Sequence, residues 1–301
     1  MSTELEAAVV ACRPALLRHC YRMLGSWAEA EDVAQDVIER AWRAREGYRG
    51  DASLKRWLFT IATNACINAL QRHGRSLPRF EAEPGDPLGP LGEPEPARWV
   101  TPASDAVLFE NPTEARETVA LAFVALLQRL PPKQRAALLM KDVLGYSAED
   151  IAADLELSLS SVNSALHRAR QAIEPARPPP VDEPAPETLR AFIRAWEQRD
   201  LDGLVKLLRD DVELEMPPWP LWLHGREDVA RFLGSARFAE AWAPGFIALP
   251  TRANGLPALA FYRSRVRHSI MPTRFVADRV AQLQVFIGAD HFASFDLPRT
   301  V

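Results

Sequence analysis

Between Ser160 and Ala172, polar and apolar side chains alternate at helical spacing. Val162, Ala165, Leu166, Ala169 and Ile173 share one face, which leaves Ser160, Ser161, Asn163, Ser164, His167 and Arg168, with Arg170 beyond them, on the other. Hydroxyls and an amide can exchange hydrogen bonds with base edges in a DNA major groove, and arginines suit phosphates. A second polar face runs from Leu54 to Arg72 and carries Lys55, Arg56, Asn64, Asn68, Gln71 and Arg72. Cations and amides beside aromatic rings are the groups that hold phosphates and unstacked bases. The plainer reading of that second face is a solvated helix surface.

Helices must position these groups. Leu5, Ala8, Val9, Cys12 and Leu16 recur at helical spacing, as do Val33, Val37, Ala41 and Trp42, with Gly25 and Ser26 between the two runs. The segment GYRGDAS, 47–53, breaks the pattern again. After it, Leu54, Trp57, Leu58, Ile61, Ala62, Ala65 and Leu70 line one side of a third helix. Further on, Val119, Phe123, Leu126, Leu127 and Leu130 predict a helix stopped by Pro131-Pro132, and Leu138, Leu139 and Val143 another that ends near Gly145. Ser147 to Asp150 has capping-box form and opens a short helix with Ile151, Ala152 and Leu155 inward. A turn at Glu156, Leu157 and Ser158 then leads to the Ser160 helix, which together describe a helix-turn-helix.

The formal net charge of −4 looks wrong for a nucleic-acid binder until it is split along the chain. Residues 76–112 carry two basic and seven acidic side chains, so most of the acidity sits in one short segment. Eight of the 25 prolines lie between Pro78 and Pro112 and six between Pro175 and Pro186, which marks two extended connectors. The chain therefore reads as 1–75, a linker 76–112, 113–175, a linker 176–186, and 187–301. Cys12, Cys20 and Cys66 are odd in number and lack CxxC spacing, so buried thiols are favoured over a disulfide framework or a metal held by Cys12, His19 and Cys20. No cofactor is implied. No apolar run reaches the roughly 20 residues needed to cross a bilayer, and the amino terminus does not read as a secretory signal, so a cytoplasmic protein with no membrane partner is expected.

The stretch DVLGYSAEDIAADLELSLSSVNSALHRARQAI resembles region 4 of the extracytoplasmic-function sigma-70 family of RNA polymerase sigma factors, and YRMLGSWAEAEDVAQDVIERAWRA with SLKRWLFTIATNACINAL resembles its region 2. The resemblance implies that Asp32, Gln35, Asp36, Glu39 and Arg40 meet the clamp of the largest RNA polymerase subunit, with region 4 on the flap of the second largest. It implies that Tyr48 to Arg72 recognises and melts the promoter −10 element, with Asn64 and Asn68 on bases and Lys55, Arg56 and Arg72 near phosphate. The Ser160 helix would take the −35 element, although basic residues often stand in the family at the positions of Asn163 and Ala165. The linker from Leu77 to Pro112 would thread toward the polymerase active-site channel, and Trp99, isolated among prolines, is expected to dock on the third block.

That block has helical stripes at Leu189, Phe192, Ile193 and Trp196 and at Leu201, Leu204, Leu207 and Leu208. An alternating strand, a helix Glu227 to Leu233, and strand-like runs at Leu259–Tyr262, Ser264–Ile270 and Val280–Phe286 complete an α+β cone around a curved antiparallel sheet. VKLLRDDVELEMPPWPLWLHGRE resembles the SnoaL-like branch of the NTF2-like superfamily. Such cones enclose a pocket, and Glu215, His224, Asp228 and His268 are the titratable residues to inspect there. Two functions follow: an initiation factor controlled in cis by its third domain, not an enzyme, or a cone enzyme whose helical part regulates its own gene. For the cone itself, catalysis, a small-molecule ligand and a purely protein-contact role all stand.

Overall fold

The computed structural model describes residues 2–44, 53–73, 83–94, 99–109, 120–174, 182–242 and 246–301. Readings that rest on the side chains of Leu5 and Ala8, on residues 47–52 including Tyr48, or on Leu77, Pro78, Pro112, Val119 and Pro175 lie outside the described residues. In chain order the helices are α1 (Ser2–Leu24), α2 (Trp27–Arg43), α3 (Leu54–His73), α4 (Asp105–Leu108), α5 (Leu121–Arg129), α6 (Pro132–Asp142), α7 (Ala148–Asp154), α8 (Leu159–Ile173), α9 (Pro186–Gln198), α10 (Leu201–Leu207), α11 (Arg226–Leu233) and α12 (Ala236–Ala241). The strands are β1 (Leu208–Glu215), β2 (Trp222–His224), β3 (Phe246–Ala253), β4 (Leu256–Arg263), β5 (Val266–Val276), β6 (Arg279–Gln284) and β7 (Phe286–Ile287). Packing groups 1–78 with 121–178 in one compact unit, and 79–120 with 179–301 in a second.

In the first unit α1, α2 and α3 bury Leu16, Cys20, Val37, Leu58, Phe59, Ala62 and Cys66 against one another, each large apolar side chain contributing about 1.5–3 kcal/mol. Two sequence expectations change here. Trp42 is 40% exposed, because the buried stripe of α2 runs through Trp27, Ala30, Ala34, Val37 and Ala41. Trp57 and Ile61 are half-buried, the inner side of α3 being centred on Leu58, Phe59, Ala62 and Cys66. Gly25 joins α1 to α2 at φ +78°, and a Cβ there would come 3.0 Å from Gln128 Cδ, so both backbone and space call for glycine. Gln128 donates to Arg22 O (3.3 Å) and Val124 O (3.1 Å), which ties α5 to the end of α1. Fully buried Arg135 of α6 donates to Met23 O and to Gln128 Oε1, and through Nη2 to Gln128 O (3.0 Å) and Leu130 O (3.1 Å). One guanidinium thereby caps last-turn carbonyls of both α1 and α5.

His19 is fully buried against Phe59, ring centroids 5.5 Å apart. Thr63 Oγ1 donates its hydrogen to Phe59 O (2.8 Å), so at 2.9 Å it accepts from His19 Nε2–H. Burial, helped by the charge of Arg22, lowers the His19 pKa to about 3. The folded group stays neutral while the unfolded one takes a proton near its ordinary value, so this stability is present above about pH 6.5 and falls with acidification by up to about 1.4 kcal/mol per pH unit. Urea unfolding of the helical unit, followed by circular dichroism, should weaken by about 2 kcal/mol between about pH 7 and pH 5. His19→Gln, which keeps a donor toward Thr63, should flatten that slope.

The second unit has sheet order β2-β1-β6-β5-β4-β3, with β7 also on β5. The sheet is not wholly antiparallel: β1 runs parallel to β6, because two helices and β2 intervene before the chain returns through β3 to β5. Residues 266–272 of β5 pair with β4 and β7, and 273–276 pair with β6, so the long strand passes from one half of the sheet to the other. α9 and α11 cover one face through Phe192, Trp196, Val229, Phe232 and Leu233. Leu208, expected on the helix, begins β1.

The acidic connector belongs to this unit. Pro87, Pro102, Ala103, Ser104 and Leu108 are buried, Gly85 N donates to Trp222 O (2.9 Å), and Trp99 Nε1 donates to Pro218 O (3.1 Å). Ala103 exchanges hydrogen bonds with Asn254, and Arg252 binds Asp105 (3.0 Å) on this connector and Glu183 (2.6 Å) on the next. Its described stretches lack regular structure apart from a turn at 87–89 and α4, and side chains such as Leu91 and Asp105 attach it to the cone.

Candidate nucleic-acid interface and cone cavity

The helix-turn-helix is built by its caps. Ser147 Oγ accepts from Asp150 N (3.0 Å) while Asp150 Oδ2 accepts from Ser147 N (3.3 Å), which starts α7. Glu156 turns the chain at φ 53°, and Ser158 Oγ accepts from Ser161 N (3.2 Å) to start α8. Val162, Ala165, Leu166, Ala169 and Ile173 are buried, so Ser160, Ser161, Asn163, Ser164, His167 and Arg168 all stand exposed on one surface. Arg170 is also exposed but binds Asp142 at 2.8 Å, which spends part of its charge within the protein. Ala165 is 5% exposed, so a cation there would have to reach past the core face.

On α3, Lys55, Asn64, Asn68 and Arg72 are exposed, but Arg56 is engaged. Its Nε and Nη2 donate to Asp154 (both 3.2 Å) and its Nη1 to Asp150, over the ring of Tyr146. The hydrogen bond to Asp154 is the main cause of a raised Arg56 pKa. Asn64 Nδ2 reaches Asp154 O (3.4 Å). The face of α3 suited to DNA is thus partly covered by α7. On α2, Asp32, Gln35, Asp36, Glu39 and Arg40 share one exposed stripe, within which Arg40 and Asp36 are 3.8 Å apart.

Residues 8–76 match the Sigma-70 region 2 family and residues 120–173 the Sigma-70 region 4 family. The ECF RNA polymerase sigma factor SigG of Mycobacterium tuberculosis (strain ATCC 25618 / H37Rv) is 38% identical over 307 residues, or 95% of this chain and 82% of the relative. The chain belongs to the extracytoplasmic-function RNA polymerase sigma factors. The probable ECF RNA polymerase sigma factor SigI of the same organism is 25% identical over 290 residues, 94% of this chain and 93% of its own. The crystal structure of the M. tuberculosis extracytoplasmic function sigma factor SigJ shares the fold, with TM-score 0.61 and 23% identity over 99% of this chain and 100% of the other. Residues 189–285 of the sigma factor match the SnoaL-like domain.

The cone of this sigma factor encloses a cavity of about 240 Å³. Seven of its eighteen lining residues are Trp or Phe, and only Arg237, His268 and Ser269 carry polar side chains beyond the indoles. Of the four residues singled out from the sequence, His268 alone lines it. Glu215 follows Leu214 and precedes Met216, both of which point inward, so strand alternation puts its carboxylate on the far side, on Gln282 (3.3 Å) and Gln284 (3.1 Å). His224 is exposed at the end of β2, whose Leu223 is the inward residue. Asp228 lies in the first turn of α11 and binds Arg231 (3.2 Å). Burial, then the charge of Arg263, lowers the His268 pKa, and its Nδ1 is 3.1 Å from Ser269 Oγ. No carboxylate lines the cavity among the described residues, so an acid–base pair is not assembled there. The sequence signal that was missed is the cluster of Trp219, Phe238 and Trp242, aromatics spread over a loop and a short helix with no clear period.

Proposed function

We propose that this sigma factor binds core RNA polymerase in the cytoplasm and directs it to promoters, reading the −35 element with α8 and opening the −10 element with α3. The observation that carries this reading is the surface of α8, where Ser160, Ser161, Asn163, Ser164, His167 and Arg168 stand exposed together in a helix-turn-helix. The exposed stripe of Asp32, Gln35, Asp36, Glu39 and Arg40 on α2 supports a polymerase contact on the clamp. The cone acts in cis and without catalysis. Support comes from Arg252, which ties the region 2–region 4 connector at Asp105 and the following connector at Glu183 to β3. A connector held on the cone is lost from the span that lets regions 2 and 4 reach two promoter elements at once.

Run-off transcription with purified core polymerase tests both parts. The wild-type chain should produce defined start sites, and Arg252→Ala, which removes the ion pairs that hold both connectors and so loosens them, should raise the yield about three- to tenfold at subsaturating factor. Absence of defined starts removes the sigma reading. Equal yield from Arg252→Ala at every concentration removes the cis control alone.

A further inference from the structure

Five large apolar side chains stand exposed among the described residues, and the helix-turn-helix carries one of them. Leu159, the first residue of α8, is 43% exposed, whereas Val162, Ala165 and Leu166 behind it are buried. A single exposed leucine is ordinary, so what this one can do depends on its neighbours. Those neighbours are engaged with one another. Ser158 Oγ accepts from Ser161 N (3.2 Å) and lies 3.0 Å from Ser160 Oγ and 2.7 Å from Ser161 Oγ. A hydroxyl has one hydrogen and two lone pairs, so Ser158, already accepting from a backbone N–H, donates to one of the other hydroxyls and accepts from the other. The first turn of α8 thereby uses much of its hydroxyl capacity on its own cap, and farther along Arg170 is held by Asp142 (2.8 Å).

Asn163 is exposed one helical turn beyond Leu159, and residues at that spacing lie side by side, with Cβ atoms about 5–6 Å apart. In a major groove an asparagine amide makes two hydrogen bonds to adenine N6 and N7, and an apolar side chain packs on the C5-methyl of thymine. Residues at the start of a recognition helix are the ones that reach base edges. Successive base pairs are about 3.4 Å apart along the duplex. Two side chains at the spacing of Leu159 and Asn163 therefore meet the same pair or pairs within two steps of each other.

We propose that Leu159 is a specificity-determining residue of the −35 contact: its methyl groups pack on the C5-methyl of a thymine, and Asn163 holds an adenine within two base pairs of it. Serine hydroxyls bond to many base edges alike, so the preference of α8 for A·T pairs comes from this leucine and amide rather than from the serines around them. The inference deepens the promoter reading proposed above and rests on it.

The test uses the whole chain bound to core polymerase and DNA duplexes randomised through the −35 position. Sequencing of the retained duplexes should return a motif that contains A·T pairs. Each thymine of that motif is then replaced in turn by deoxyuridine, which removes only the C5-methyl. At one position the replacement should weaken binding about three- to fivefold. Leu159→Ala should bind the thymine and deoxyuridine duplexes alike, while Leu159→Met, which keeps an apolar contact, should retain the difference. Alanine at an exposed helix position should leave the thermal unfolding of the chain unchanged. Asn163→Ala should lose about fivefold or more of the discrimination against G·C at the adenine and keep the deoxyuridine penalty. No enriched motif removes the −35 reading as a whole, and this contact with it. A motif without A·T pairs, deoxyuridine duplexes bound as tightly as thymine ones, or a penalty that persists in Leu159→Ala overturns the role of Leu159 and leaves the sigma reading in place. Undiminished discrimination in Asn163→Ala overturns the adenine contact.

Discussion

Asp154→Ala should raise the affinity of the free protein for single-stranded −10 DNA about five- to tenfold, while Arg56→Ala should not. The two substitutions break the same contact. Asp154 accepts two hydrogen bonds from Arg56 at 3.2 Å and is only 13% exposed at its side chain, so the pair is better placed than a surface ion pair but still within reach of solvent. An ion pair of that kind contributes about 1–1.5 kcal/mol, which converts to a five- to tenfold shift between covered and uncovered α3. Asp154→Ala removes two of the guanidinium's hydrogen bonds and leaves those to Asp150, so its Nε and part of its charge become available for the phosphate role proposed for it. Arg56→Ala breaks the contacts to both Asp150 and Asp154 but deletes the cation, so the gain is cancelled. Asp150 is the less clean choice, because it also closes the capping box of α7. Fluorescence anisotropy with a labelled −10 oligonucleotide measures both, with the salt dependence recorded since phosphate contacts dominate it. Equal affinities for wild type and Asp154→Ala would show that α7 does not shield the α3 face.

Arg135→Leu should cost the helical unit about 3–5 kcal/mol. The side chain is fully buried and donates to Met23 O, Gln128 Oε1, Gln128 O and Leu130 O. Leucine leaves these oxygens in an apolar interior without the donor that satisfied them, and buried unsatisfied acceptors carry their full desolvation penalty. The loss is a large share of the roughly 5–15 kcal/mol that a domain has in total. Arg135→Lys should lose less, since one ammonium cannot serve two helix ends in the planar arrangement of a guanidinium. Urea titration by far-ultraviolet circular dichroism reads the helical unit. Tryptophan emission reports both units, through Trp27, Trp42 and Trp57 in the first and Trp99, Trp196, Trp219, Trp222 and Trp242 in the second, and its second-unit component should keep its midpoint. A shift of less than about 1 kcal/mol for Arg135→Leu would mean that the carbonyls find other partners, and the cap would be dispensable.

The proposed site divides along the same physical line. On α8, polarity is enough to assign faces, because five residues face a core and the six polar ones have nowhere else to go. Arg56 looked equivalent to Lys55 in the sequence, yet only Arg56 meets Asp150 and Asp154, ninety-odd residues away. In the cone, titratable residue types were a poor guide. Glu215 has the right chemistry for a pocket and the wrong strand parity, whereas Trp196 and Arg237, unremarked as pocket residues, line the cavity.

Helix periodicity, caps and proline clusters lie within a few residues of one another, so local sequence determined the helices of regions 2 and 4, the turn between α7 and α8, and the acidic, proline-rich connector. Tertiary structure alone decided what those pieces lie against: the parallel pairing of β1 with β6, Arg135 under two helix ends, Arg56 beneath α7, and Leu91 in the cavity wall. Each of these joins residues distant along the chain, and such contacts are chosen by the shape and hydrogen-bonding need of a surface that exists only once the neighbouring elements have packed.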